Sequence, residues 1–256
     1  LESKADGFAA GDHVFGPLCS QTHAVMPAFT MKKIDTTVAP ASAYLGALGL
    51  TTGLTAYFGI VDVGQVKPGD TVVVSGAAGA VGSVAGQIAR LSGASKVIGI
   101  AGGAHKSKFL VDELKFDAAI DYKNENVAAR LDELAPDGIN VFFDNVGGDI
   151  LDDVLMRIVE GSRIVICGGI SQYENMDDVR GPKNYLKLAE RRARMEGFAV
   201  FHFADHYARA EKNLADWLRS GELVVREQIE QGVENFPAVM NLLMTGGHYG
   251  KLLLKV

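Results

Sequence analysis

Residues 71–86 read TVVVSGAAGAVGSVAG, with Gly76, Gly79 and Gly82 at three-residue spacing between an apolar run and a helical one. Thr71 to Val74 are β-branched and apolar on both faces, the pattern of a strand buried in a parallel sheet. Beyond the glycines, Val81, Val84, Ala85, Ile88, Ala89 and Leu91 recur at three- and four-residue steps and lay an apolar stripe along a helix. The local order is therefore strand, glycine turn, helix. In that order Gly76 permits the tight turn, Gly79 lets a ligand approach the backbone, and Gly82 lets the helix lie close to the strand. The N–H groups opening the helix favour a phosphate.

The spacing Gly-x-x-Gly-x-x-Gly is a variant of the Gly-x-Gly-x-x-Gly dinucleotide fingerprint. No Lys-Ser or Lys-Thr follows the last glycine, which argues against a nucleoside triphosphate loop. The competing reading is that these small residues serve only a close helix–strand contact.

From residue 71 onward, strand-like runs at Lys96–Ala101, Ala118–Tyr122, Ile139–Asp144, Arg163–Cys167 and Phe198–Phe203 alternate with helical periodicity. That alternation predicts an α/β doubly wound parallel sheet of the Rossmann type, with its ligand crevice at the carboxyl ends of the strands. The glycine-containing runs IAGGAH, DNVGG and CGGISQY then all open onto the crevice. Residues 1–43 hold turns and short strand-like pieces such as DHVFG. After Phe203 come a helical pattern near 206–219, the strand-like ELVVREQI, a helix after Pro237, and GKLLLKV. The expected division is 44–203 for the dinucleotide-binding domain, with 1–43 and 204–256 as the two parts of a discontinuous second domain.

Composition narrows the function classes. A net charge of −6 without a Lys/Arg tract gives no field for nucleic acid. No apolar stretch is long enough to cross a membrane, and the first residues do not read as a signal peptide. Two cysteines, Cys19 and Cys167, are too few for a disulfide framework or a structural zinc site. The cytoplasm is the expected compartment. Cys19 with His13 or His23 is a loose cluster without a second thiol, so no metal is expected.

An NAD-specific fold usually carries an acid about 20 residues past the glycine turn. Here that region is AGGAHKSK, and no acid occurs before Asp112. Gly102 and Gly103 leave room for a 2′-phosphate and Lys106 supplies a positive charge, which favours NADPH. The alternative for Lys106 is a solvated lysine in the first turn of a helix.

Taken together and in order, GLTAYFGI, VKPGDTVVVSGAAGAVGSVAGQIA, DYKN, FDNVGG, CGGISQY and RMEGFAVFHF resemble the prostaglandin reductase branch of the zinc-independent medium-chain dehydrogenase/reductase superfamily, whose members include leukotriene dehydrogenases and alkenal and curcumin double-bond reductases. The resemblance implies NADPH-dependent reduction of a carbon–carbon double bond conjugated to a ketone or aldehyde. It also implies a β-rich, barrel-like (GroES-like) substrate domain, a homodimer, and a starting point partway through that domain, so that part of a typical member precedes Leu1. By position, the resemblance assigns the pyrophosphate to the turn from Gly76 through Gly79, Ala80, Val81, Gly82 and Ser83, and the 2′-phosphate to Lys106. It sets Tyr122 by the adenosine phosphate. Asn145 and the run Cys167, Gly168, Gly169, Ile170, Ser171 and Tyr173 line the groove, and Phe198, Ala199 and Val200 flank the nicotinamide. One match fails: where relatives often have Asn before an aromatic-Gly-Lys, this chain has His248, which either donates to the cofactor or is a solvated turn residue.

Reduction of an enone needs hydride at the β-carbon, a donor for the oxygen on which charge gathers, and a proton at the α-carbon. Tyr173 is the first candidate donor; its alternative is a pocket-lining aromatic. Tyr57, in LTAYFG, is the second, with a core or wall position as its alternative. A quinone reductase and a non-catalytic NADPH-binding protein on the same fold are the rival functions.

Overall fold

The computed structural model describes residues 3–256. Its centre is a six-stranded sheet formed by β3 (Thr71–Ser75), β4 (Lys96–Ala101), β5 (Ala118–Asp121), β6 (Ile139–Asp144), β7 (Ile158–Ile166) and β8 (Arg194–Gly197). All neighbours are parallel, in the spatial order β5-β4-β3-β6-β7-β8. The chain reverses its winding between β3 and β6. In sheets of this kind that is where a ligand crevice opens at the strands' carboxyl ends.

Alternation along each strand builds the two cores. Val72 and Val74 face one side with Val97, Val141, Phe143 and Val165. Val73 faces the other with Ile98, Ile100, Phe142 and Ile164. The first face is covered by α2 (Ala80–Leu91) and by a continuous helical stretch, 50–63, whose middle turn is α1 (Thr55–Phe58) and whose end turns are π-helical. Leu131 of α4 (Val127–Leu134) and Leu151, Val154 and Leu155 of α5 (Gly148–Leu155) cover the second face. Helix α3 (Ala104–Lys108) follows β4, and α6 (Leu186–Glu190) precedes β8.

The flanks add β1 (Val14–Phe15) and β2 (Lys32–Lys33), an antiparallel pair, and β9 (Glu227–Gln231) and β10 (Lys251–Lys255), a parallel pair. Helices α7 (Tyr207–Ser220) and α8 (Phe236–Met244) lie in the returning segment. The fold is thus a Rossmann sheet accompanied by β-containing flanks from both ends of the chain. Gln87 on α2 ties the return to the sheet: its amide donates to the Val224 carbonyl at 2.9 Å and accepts from the Val224 N–H at 2.8 Å.

One strand lies elsewhere than the pattern suggests. The expected strand Phe198–Phe203 is instead β8, at Arg194–Gly197, and residues Val200–His206 form 3-10 turns. An edge strand has one hydrogen-bonded neighbour, and Arg194, Glu196 and Gly197 are exposed, so it lacks the apolar signature of the central strands. The aromatics after it belong to the helical side: Phe203 stacks on Phe58 with ring centroids 4.6 Å apart.

Candidate functional site

The crevice is organised by one buried carboxylate. Asp144 ends β6, and its Oδ1 accepts from the Ser75 hydroxyl at 2.6 Å and from the Val146 and Gly147 N–H groups at 2.9 and 3.0 Å. Ser75 Oγ in turn accepts the Asn145 N–H at 2.8 Å, and the Asn145 amide donates to the Ser75 carbonyl at 2.7 Å. The ends of β3 and β6 are therefore locked across the switch point. Burial pushes the Asp144 carboxyl above its ordinary range, opposed by these hydrogen bonds.

The next loop is fastened to the same carboxylate residue. The N–H groups of Cys167 and Gly168 donate to the Asp144 carbonyl at 2.9 and 3.1 Å, that of Ile170 to the Asn145 carbonyl at 3.1 Å, and Ser171 Oγ to the Val146 carbonyl at 2.6 Å. This brings Asn145 together with the run from Cys167 to Tyr173. The Cys167 thiol is half-buried and pushed up to about 12, by desolvation first and the nearby Asp144 charge second, which keeps it a protonated wall group. Tyr173 is 53% exposed, and its hydroxyl oxygen accepts the Gly169 N–H at 3.2 Å. That bond occupies a lone pair and leaves the O–H free to donate.

The glycine turn has the form its spacing suggests. Gly76 holds φ +57°, where a side chain is strained. A Cβ on Gly82 would stand 2.4 Å from the Gly76 carbonyl oxygen, so this position is closed by backbone. A Cβ on Gly79 would meet only that oxygen, at 3.2 Å, and otherwise enter open space. No side chain caps α2, so the N–H groups of Ala80, Val81 and Gly82 in its first turn have no capping acceptor, whereas the side chain of Asn126 caps α4. Uncapped donors beside open space above Gly79 fit the pyrophosphate of a dinucleotide.

At the far end, Lys106 is partly buried and its Nζ donates to the Gly246 carbonyl at 2.9 Å. Burial, and then the charge of Lys123, pull its pKa below the ordinary lysine range. Lys106 is thus an oriented cation and not a freely solvated one. Tyr122 is 48% exposed beside it, and its ring covers Gly102. The segment holding Gly246 continues to the glycine turn, where the Gly250 N–H donates to the Ala78 carbonyl at 2.7 Å. Between them His248 is 9% exposed, with Nδ1 placed 3.2 Å from the Leu242 carbonyl. Burial and the neighbouring Lys106 charge depress its pKa, against the hydrogen bond to Leu242. The reading of His248 as a solvated turn residue is therefore corrected.

Two other expected residues are buried and hydrogen-bonded within the fold. Tyr57 is buried, accepts from the Asn213 amide at 2.8 Å, and packs by Trp217 under the Arg209 guanidinium. It is a packing residue between α1 and α7, because the helical phase of LTAYFG turns it toward that neighbour. Ser83 is also buried; its N–H donates to the Gly79 carbonyl at 3.0 Å and its hydroxyl to Ala80 at 3.2 Å. Both donors are consumed by the helix. Beyond β8, the Phe198 ring presses on Gly59, Ala199 donates its N–H to His202 Nδ1 at 3.2 Å, and Val200 is buried.

An apolar cavity of about 520 Å³ lies beside this last segment, lined among others by Phe15, Met31, Tyr44, Leu50, Phe201 and Tyr207. Among the described residues, no group of three or more His, Cys, Asp and Glu side chains is arranged to hold a metal. No helix among them is long and apolar enough to cross a membrane.

Asp144, Ser75, Gln87, Lys123 and Gly246 are the participants that pattern reading passed over. An acid closing the apolar run FFD, opposite the glycine turn, was a usable signal for Asp144. Gly246 acts through its carbonyl and carried none.

Comparison with known proteins gives the following likenesses. The zinc-binding dehydrogenase family model matches residues 80–218. The Bacillus subtilis protein YfmJ is 48% identical over 249 residues, 96% of this chain and 73% of that protein. The 2-alkenal reductase (NADP(+)-dependent) of Nicotiana tabacum is 38% identical over 258 residues, all of this chain and 74% of that protein. Among solved structures, CurA from Vibrio vulnificus in complex with NADPH superimposes with a TM-score of 0.79 at 40% identity, over 84% of this chain and 65% of that one.

Proposed function

The chain belongs to the zinc-independent medium-chain dehydrogenase/reductase family, with the alkenal, curcumin and prostaglandin reductases, and from that premise we propose that it reduces the carbon–carbon double bond of α,β-unsaturated ketones or aldehydes with NADPH. The observation that carries this reading is the lock around Asp144, which holds Asn145 and the Cys167–Tyr173 loop at the carboxyl ends of the central strands, beside uncapped N–H donors at α2.

NADPH, when bound, supplies hydride to the β-carbon of the substrate. The chain's share is orientation and charge. Ala80, Val81 and Gly82 hold the pyrophosphate through backbone N–H groups, and Lys106, steadied by the Gly246 carbonyl, takes the 2′-phosphate. Tyr122 lies along the adenosine, His248 faces the cofactor between Lys106 and the glycine turn, and Phe198, Ala199 and Val200 bound the nicotinamide half. Tyr173 donates its hydroxyl proton in a hydrogen bond to the carbonyl oxygen on which enolate charge develops; the Gly169 N–H already bonded to its oxygen polarises that donor. Solvent then protonates the α-carbon, completing addition of one hydride and one proton. The apolar cavity beside Phe201 supplies a wall for the hydrocarbon part of the substrate.

The domain division at residues 44 and 203 belongs to the same proposal, supported by the packing of helix 50–63 on the sheet. A homodimer is supported by the exposed edge strand β8, and a cytoplasmic setting by the unpaired thiols of Cys19 and Cys167. The deciding experiment follows NADPH oxidation with enones, enals and quinones, and identifies the product by mass and NMR. A saturated ketone or aldehyde supports the reading. Reduction confined to quinones, or none at all, overturns it.

A further inference from the structure

Two lysines from different loops converge on one glycine turn at the end of β4. Lys106 follows that turn on α3, and its own N–H donates to the Gly103 carbonyl at 3.0 Å. Lys123 arrives from the loop after β5: a Cβ on Gly102 would lie 2.9 Å from its Cε and 2.9 Å from the Tyr122 ring. The Lys106 ammonium is held on the Gly246 carbonyl at 2.9 Å, and the charge of Lys123 adds to burial in pulling its pKa below the ordinary lysine range. Like charges held together are unfavourable unless an anion lies between them.

Among the described residues, the nearest carboxylates are already engaged by other partners. Asp121 ends β5 nearby, but Oδ1 accepts the Gly103 N–H at 2.6 Å and the Lys123 N–H at 3.1 Å, and Oδ2 accepts from the Asn124 amide at 2.7 Å. Glu125, the next acid, accepts the Asp121 N–H through one oxygen and pairs with Arg130 through the other. Lys123 has no ion pair and no side-chain hydrogen bond among the described residues. Asp121 therefore acts as a brace: by bonding the backbones of Gly103 and Lys123 together, it fixes the second loop against the first.

We propose that Lys123 is a second cofactor-specificity residue, which with Lys106 clamps the 2′-phosphate that distinguishes NADPH from NADH. The inference rests on the proposed cofactor assignment and adds to it a residue from a separate loop. A dianionic phosphate between two cations relieves their mutual repulsion, whereas the bare 2′-hydroxyl of NADH does not.

The test measures binding and not turnover, using adenosine 2′,5′-bisphosphate and 5′-AMP as probes in calorimetric titrations of the complete chain. Lys123→Met keeps the methylene stem over Gly102 and removes the charge. It should weaken the bisphosphate about 5- to 30-fold at low salt, leave 5′-AMP unchanged, and lose most of its effect as salt rises. Lys123→Arg should restore the preference. If wild-type protein binds the bisphosphate and Lys123→Met binds it equally well, or if both probes weaken together, the inference is overturned while the cofactor assignment stands. If wild-type protein shows no preference for the bisphosphate over 5′-AMP, the assignment itself fails, and the inference with it.

Discussion

Replacing Gly82 by Ala separates the two tasks of the glycine turn. The added methyl would stand 2.4 Å from the Gly76 carbonyl oxygen and 2.8 Å from Ala77 Cα. Both are backbone atoms of the turn joining β3 to α2, so relief requires that the helix lift from the strand or the turn distort. Overpacking of this kind costs about 1–3 kcal/mol. At about 2–4 °C per kcal/mol for a chain of this size, Tm should fall by about 2–12 °C. Gly79→Ala is the contrast, because φ there is −80° and the one close atom is the Gly76 oxygen at 3.2 Å. The fold should accept that methyl with a Tm within about 2 °C of wild type. Its Cβ instead fills the space above the turn, and NADPH affinity should fall at least tenfold, about 1.4 kcal/mol. Thermal unfolding with and without NADPH reads both effects at once. Wild type should gain about 2.7 kcal/mol at a cofactor concentration of 100 Kd, and Gly79→Ala roughly half of that at the same concentration. A Gly82→Ala protein that melts like wild type, or a Gly79→Ala protein that melts early yet keeps its cofactor response, would refute the division of roles.

Lys106→Ala should reduce NADPH affinity by about 10- to 150-fold, the worth of one charge-assisted contact of about 1.5–3 kcal/mol, and leave NADH nearly unaffected; fluorescence titration of both cofactors checks this. Tyr173→Phe should lower turnover of a simple enone by about 10- to 1,000-fold with little change in NADPH affinity, and unaltered turnover would return Tyr173 to the pocket wall. His248 contributes a pH dependence of known sign. Its folded-state pKa lies below the ordinary 6.5, so the unfolded chain binds the proton more readily. Stability should therefore hold steady above about pH 6.5 and decline as pH falls through the interval down to the folded-state value. Urea midpoints for His248→Asn should be flatter across that interval, and an equally steep decline would assign the effect to another group.

Local chemistry already carried the sheet and its turn. Val72–Val74 are apolar on both faces, Gly76 demands a positive φ, and the helical stripe from Val81 onward admits one handedness and one packing face. These properties reside in neighbouring residues, so strand, turn and helix were readable without knowing what surrounds them. The same is true of the cofactor's charge preference, which follows from the missing acid and the single cation in AGGAHK. β8 is not legible in the same way, because an edge strand buries little and RMEG carries no apolar alternation.

Tertiary structure decided which side chains meet. Asp144 and Ser75 are separated by three αβ units, yet parallel pairing of β3 with β6 sets their side-chain oxygens 2.6 Å apart. Tyr57 and Tyr173 looked like alternative hydroxyl donors, and they part only because α7 covers one while the loop after β7 leaves the other exposed. Lys106 acquired its orientation from the Gly246 carbonyl, a backbone atom 140 residues away that no residue type announces. Spacing records periodicity along one element; a hydrogen bond between elements depends on register and crossing, which are settled only when the apolar faces of the whole chain are buried together.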